Sequence, residues 1–270
     1  MSNFSNCKFF LIESGRCKHS ALEDSDFCLW HSEFHWDQSY YSLFEEIKFT
    51  AQGFNLVGLN LQNIEFPSLN LSHAKLKLMQ LNACKLFQSD FSRALLQDAY
   101  IGNCLVKDSI FNNSQWESVE INHGEFTEVD FSEVRFDSTI LNSSRLHNCK
   151  MSKTRFYRCV LESLDFGSSR WICDDSYNQN IFPKFHRTKL KNCLFSDSDL
   201  SFFQFEKCEF LNCHFLDIDM QRTNFQQCMF VDTTFEGISN IEKAYFDECT
   251  FNSFSQRSLS AANPDLEFSS

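Results

Sequence analysis

Large apolar residues recur at every fifth position through most of the chain. In CEFLNCHFLDIDMQRTNFQQCMF (208–230), Phe210, Phe215, Met220, Phe225 and Phe230 stand five apart, and Cys208, Cys213, Ile218, Thr223 and Cys228 stand two before each. The same register runs from Leu56 to Trp171 in 24 consecutive positions, among them Phe66, Phe91, Phe111, Trp116, Phe131, Phe136 and Phe156. Two residues before each of these the side chain is small or mid-sized, as at Ala74, Cys84, Ser89, Val134 and Thr154. The other three positions of each quintet are mostly Asp, Asn, Glu, Ser, Lys, Arg and Gln.

Neither regular element keeps such a column on one side. A strand would send positions five apart to opposite faces, and a helix would rotate them by about 140°. The backbone must instead turn once per quintet, so that four quintets close a square coil of about 20 residues. Residues two apart share a face of extended chain, which puts both the Phe/Leu and the Cys/Ser/Ala positions indoors and the other three in water. The register breaks after Trp171, within ICDDSYNQNIFPKFH, and is read again from Leu190 to Phe235. A one-residue slip then leads to Ile241, Phe246 and Phe251. The spacing predicts a loop over 172–184 and, in all, 37 repeats, or about nine coils and a rod near 43 Å long at about 4.8 Å per coil.

Units such as SDFSR (89–93), VDFSE (129–133) and TNFQQ (223–227) resemble the A(D/N)LXX pattern of the pentapeptide repeat family. The resemblance covers roughly residues 52–251 and implies an all-β solenoid, a right-handed quadrilateral β-helix. Solenoids need capped ends. At the N-terminal end, DQSYYSLFEEIKF offers Asp37 as N-cap with Tyr40, Tyr41, Phe44 and Ile47 at helical spacing, which predicts a capping helix within 37–51. The segment 252–270 is polar and serine-rich, and reads as a flexible tail.

Composition agrees with a filled rod. There are 32 Phe but only 7 Gly and 3 Pro, and no apolar run approaches the roughly 20 residues of a membrane span. The first residues show no secretory signal pattern, so a cytoplasmic protein with reduced thiols is expected. Nine of the 13 cysteines (84, 104, 149, 159, 193, 208, 213, 228 and 249) fall on the small inward position and read as packed thiols. Cys173 falls in the loop. The remaining three precede the repeats as C-x9-C-x10-C-x2-H, ending at His31. Cys7, Cys17, Cys28 and His31 would suit tetrahedral Zn2+ in a structural site, because four protein ligands leave no position for water or substrate. Residues 1–36 are therefore read as a small zinc module, with His19 and His35 as alternative ligands.

The net charge of −12 is banded. Residues 105–140 hold eight acids against Lys107 and Arg135, residues 141–191 hold ten bases against four acids, and residues 192–251 hold eleven acids against three bases. The family resemblance implies, for some members, mimicry of duplex DNA and binding to type II topoisomerases such as DNA gyrase. Duplex DNA carries a charge per about 1.7 Å, far denser than this rod, and a positive waist interrupts any such mimic. Arg145, Lys150, Arg155, Arg158 and Arg170 form the waist, and the loop beside it carries Asp174, Asp175, Tyr177 and Phe182. Irregular insertions on rigid scaffolds are common recognition sites. No nucleotide-binding, nucleophile-elbow or zincin motif is present, and a Phe-filled interior offers no obvious pocket. The leading expectation is a non-enzymatic protein-binding scaffold of unidentified partner. A gyrase-directed DNA mimic is the alternative, and a nucleic-acid binder using the waist a further one. Family members that dimerise through a C-terminal helix also raise a dimer, although QRSLSAANP is short and polar.

Overall fold

A computed structural model gives the fold, and it describes residues 10–11, 15–16, 28, 52–171 and 182–264. From residue 52 onward the chain winds into a parallel solenoid of about nine coils closed by one helix at its C-terminal end. Each coil has four sides, and each side pairs only with the same side of the coils above and below. The pairing is parallel and in register: Arg135 lies between Gln115 and Arg155, Ile121 between Ile101 and Leu141, Phe126 between Val106 and Leu146. The fourth side is held by single bridges, such as Asp130 to Lys150 and Lys150 to Arg170. We number these sides in chain order. Face 1 carries Arg135, Arg155 and Lys184, face 2 Ile140, Val160 and Lys189, face 3 Glu125 and Arg145, and face 4 Asp130, Lys150 and Arg170.

The inward residues form columns along the axis. On face 1, Phe136, Phe156, Phe185, Phe205, Phe225 and Phe246 stack ring on ring, with centroids 4.4 to 5.3 Å apart. Phe166, Phe195, Phe215 and Phe235 do the same on face 3 at 4.9 to 5.1 Å. These offsets are the stacked geometry that adds roughly 0.5–1.5 kcal/mol per pair beyond area burial. The small inward position does more than save space. Its hydroxyl or thiol donates to the carbonyl of the inward residue one coil earlier, as Thr154 Oγ1 does to Phe131 (2.9 Å), Ser169 Oγ to Leu146 (2.6 Å) and Cys228 Sγ to Phe205 (3.4 Å).

Corners are made by a residue in the left-handed region at the end of a side, such as Asn63 (φ 56) after the strand Asn60–Gln62, or Leu78 (φ 57), Asn113 (φ 59) and Phe202 (φ 62) on sides held by single bridges. Only Gly53, Gly58 and Gly237 supply glycine to such positions among the described residues. Left-handed backbone costs an ordinary residue about 1–2 kcal/mol. The corner N–H offsets this by turning along the axis: Leu78 donates to the Gln97 carbonyl at 2.8 Å and Asn113 to that of Ser132 at 2.9 Å.

Two expectations are corrected. The register resumes at Phe185, one repeat before Leu190, and the strand Lys184–His186 already pairs with Arg155–Tyr157, so the insertion does not reach 184. Pro183, buried in the small inward place, concealed that repeat from a reading tuned to Cys, Ser and Ala. The tail read as flexible over 252–270 instead forms helix α1 (Ser253–Ala262), capped by Asn252, whose side-chain oxygen accepts from the Ser255 N–H at 2.9 Å. Its serines face the last coil: Thr233 N–H donates to Ser255 Oγ and Phe235 N–H to Ser258 Oγ, both at 2.9 Å. With Leu259 buried beneath it, α1 satisfies edge groups that would otherwise invite strand addition. The capping helix expected within 37–51 lies outside the described residues.

Two outcomes follow. Leu78→Gly should raise stability by up to about 1 kcal/mol by relieving the left-handed strain, while Leu78→Val should lower it by a similar amount. Chemical denaturation reads the order, and a valine variant as stable as the glycine one would contradict the corner account. Deleting the chain from Ser253 onward should yield soluble oligomers or aggregates by light scattering, whereas an unchanged monodisperse profile would show that α1 does not guard the edge.

Candidate binding surface

In-register pairing converts a spacing of 20 residues into vertical adjacency, and across the insertion the same step takes 29 residues, from Tyr157 to His186. Ion pairs accordingly run along the rod. Lys85 reaches Glu65 (3.3 Å), Arg145 reaches Glu125 (3.8 Å), Lys150 reaches Asp130 (3.4 Å) and Lys153 reaches Glu133 (3.6 Å). On the other flank of the basic band Lys189 reaches Glu209 (3.5 Å). The charge bands are thus tied to each other, coil to coil, by exposed pairs worth about 0–1 kcal/mol each.

The sequence-predicted residues do not form one patch. Arg145 stands on face 3, Lys150 and Arg170 on face 4, Arg155 on face 1, and Arg158 at the corner after it. Phe182 stacks on Phe202 at 5.5 Å, and the Arg222 guanidinium lies over the Phe202 ring at 5.6 Å. Asp174, Asp175 and Tyr177 lie outside the described residues, as do Cys7, Cys17 and His31. Cys28 is buried and belongs to the same apolar core as the coils.

Face 1 is where geometry concentrates. A groove of about 310 Å³ is lined by Arg135, Arg155, Tyr157, Lys184, His186 and Glu206. A second, of about 340 Å³, continues it past Arg135 toward Trp116 and Leu95. Tyr157 and His186 stack in parallel at 4.9 Å, and the Arg158 guanidinium covers the Tyr157 ring at 4.8 Å. Arg158 also donates to Asp137 Oδ1 through Nη2 (2.7 Å) and Nε (3.2 Å), while Arg135 Nη2 lies 3.1 Å from Asp137 Oδ2. Lys184 Nζ donates to Glu206 Oε2 at 2.6 Å. His186 Nδ1 approaches the same oxygen to 3.2 Å without hydrogen-bond alignment. Partial burial pushes the Asp137 carboxyl up, but hydrogen bonds from Arg158, Ser138 and Arg135 prevail and hold it below the ordinary range. Glu206 is likewise lowered, chiefly by the Lys184 hydrogen bond against some desolvation.

Sequence reading missed Asp137, Tyr157, His186 and Glu206. The signal was periodic, but the insertion shifts the step by nine residues, so the Tyr157–His186 stack has no sequence period of its own. Burial pushes the Cys149 and Cys159 thiols up to about 12, which keeps them protonated and non-nucleophilic. Among the described residues no cluster of His, Cys, Asp or Glu could hold a metal ion.

The unit that builds these faces is matched by a family model. The model described as Pentapeptide repeats (8 copies) matches residues 125–163, two full coils, and supports the pentapeptide-repeat assignment. No curated protein matches the chain. Among solved structures the chain is similar to HetL, a pentapeptide repeat protein involved in heterocyst differentiation regulation from the cyanobacterium Nostoc sp. strain PCC 7120. The two are 13% identical over 80% of this chain and 95% of that one, with a TM-score of 0.33. It is also similar to trypsin-treated QnrB1, a plasmid-mediated fluoroquinolone resistance protein, at 14% identity over 78% and 98% of the two chains and a TM-score of 0.35. A third is the pentapeptide repeat protein Rfr23 from the cyanobacterium Cyanothece 51142, at 12% identity over 81% and 97%, with a TM-score of 0.14.

The lowered carboxyls set a pH dependence. Asp137 and Glu206 stabilise the fold above their unfolded values, near about 3.9 and 4.3, and that contribution is lost as pH falls through their lower folded values. Glu206→Gln should therefore cost up to about 1 kcal/mol at neutral pH and flatten the acid limb of a plot of melting temperature against pH. An acid limb unchanged by the substitution would remove Glu206 from the account.

Proposed function

We propose that the protein is a non-enzymatic, cytoplasmic binding scaffold for another protein: a rigid pentapeptide rod whose interior is filled and whose recognition chemistry lies on its outer faces. The observation that carries this reading is the pairing of a solid aromatic interior with a grooved, charge-organised face 1. A gyrase-directed DNA mimic would need an unbroken negative stripe. Every face instead bears cations in the waist, Arg155 on face 1, Lys189 on face 2, Arg145 on face 3 and Lys150 on face 4, so the scaffold reading is preferred. Extended nucleic acid is disfavoured by the acid bands on either side.

The N-terminal module belongs to this reading as a zinc-stabilised cap held by Cys7, Cys17, Cys28 and His31. Two observations support it. Residues Phe10–Leu11 and Gly15–Arg16 pair antiparallel, two short strands bracketed in sequence by Cys7 and Cys17. Cys28 is buried, 2% exposed, as a structural ligand would be. Zinc there would supply folding free energy, since its donor set leaves no open position for catalysis.

Affinity capture from the host, with the full chain and with a Cys28→Ser variant, tests both parts. The full chain should carry about one zinc by elemental analysis and retain a specific protein partner. Cys28→Ser should lose the metal and melt earlier. Capture of no partner by the metal-loaded chain would defeat the scaffold reading, and a metal-free, fully folded chain the zinc one.

A further inference from the structure

We infer that face 1 is a docking groove for a short acidic peptide segment of a protein partner; this rests on the scaffold reading and specifies its ligand. Among the described residues of four coils, face 1 and the corner after it present Arg135, Arg155, Arg158, Lys184, Arg187 and Lys207 against two carboxylates, Asp137 and Glu206. That is a local excess of four positive charges on a chain of net charge −12.

The cations are held in place before any ligand arrives. Arg158 is clamped between the Tyr157 ring and Asp137, Arg135 is tied to Asp137, and Lys184 to Glu206. The strands beneath them are fixed by a continuous phenylalanine column. A pre-organised set of donors spares a ligand much of the entropic cost of ordering side chains. Each paired cation retains further N–H donors for a second carboxylate.

Length identifies the ligand class. Three coil steps span about 14 Å, which an extended peptide crosses in about four residues at roughly 3.3 Å each. Below the window stands Glu117 and above it Asp247, both in face 1 strands. A polyanion longer than the window meets Glu117 one coil step below it and Asp247 two coil steps above it, about 5 and about 10 Å away, comparable with the Debye length of about 8 Å at physiological ionic strength. Duplex or long single-stranded nucleic acid is therefore repelled at both ends, whereas a cluster of a few Asp or Glu is not. The Tyr157 ring already contacts Arg158 and His186, so the aromatic surface here serves to hold the guanidinium rather than to receive a base.

The test is fluorescence anisotropy with the full chain and a labelled oligoglutamate peptide, against an all-glutamine counterpart and an oligothymidylate of similar length. Oligoglutamate should bind, with affinity falling as salt rises, and the glutamine peptide should not. Arg155→Gln with Arg187→Gln should weaken binding about ten-fold or more. Arg145→Gln with Lys150→Gln removes the same charge from faces 3 and 4 and should change it less than about two-fold. Equal losses in the two pairs, or tighter binding of oligothymidylate, would overturn the inference. If the face 1 pair does not fold, a photo-crosslinking oligoglutamate on the wild-type chain decides: adducts on face 1 strands support the groove, and adducts elsewhere refute it. Absence of oligoglutamate binding by a chain that still captures a protein partner sinks this inference and leaves the scaffold reading standing; absence of both sinks both.

Discussion

Everything in this molecule depends on the corner residue that turns left-handed and sends its N–H along the rod. A right-angled bend every five residues interrupts any ordinary strand ladder, and a buried or half-buried N–H without a partner would cost more than the bend itself. By donating to the coil above, as Asn113 does to Ser132, the corner turns its own strain into inter-coil cohesion. The cost of non-glycine residues in that region is met repeatedly along the rod, so stability must come from the columns that the corners align.

Those columns are of two kinds, and they are complementary. The phenylalanine stacks supply apolar burial and ring contacts, while the Cys, Ser and Thr positions beside them donate to carbonyls of the preceding coil. A thiol there is a compact, weakly polar donor that fits against neighbouring rings. Neighbouring in-register side chains are separated by about the strand spacing of 4.8 Å, longer than the 3.5–4.5 Å between Cβ atoms that a disulfide requires. Stacked cysteines such as Cys193 and Cys213 accordingly remain thiols.

The same in-register stacking organises the exterior. Every charged position acquires neighbours above and below, so the basic band is joined to the acidic bands by pairs such as Lys150–Asp130 and Lys189–Glu209. On face 1 this neutralisation is incomplete. There the Tyr157–His186 stack, the doubly held Arg158 and the lowered Asp137 and Glu206 carboxyls make a surface with fixed donors and an excess of positive charge. The insertion enters the coil at the edge of that face, between Trp171 and Pro183.

The quintet period by itself determined the coil, its four sides, the inward columns and the stacking of cysteines 20 apart, because a period of five admits only a backbone that turns once per quintet. It also placed the waist residues in a band. It left the corner conformation unseen, since the left-handed positions are filled by Leu78, Arg93 or Phe202 as readily as by glycine and carry no local signature. It misread the C-terminal serines as a tail because their value lies in accepting N–H groups from a coil edge that exists only once the rod is formed. Likewise the face 1 groove joins Tyr157, His186 and Glu206 across an insertion that breaks the count. Whether Lys184 and Arg187 share a face and corner with the waist cations Arg155 and Arg158 was decided by how many residues that insertion removes from the coil, a quantity fixed by packing rather than by the pattern.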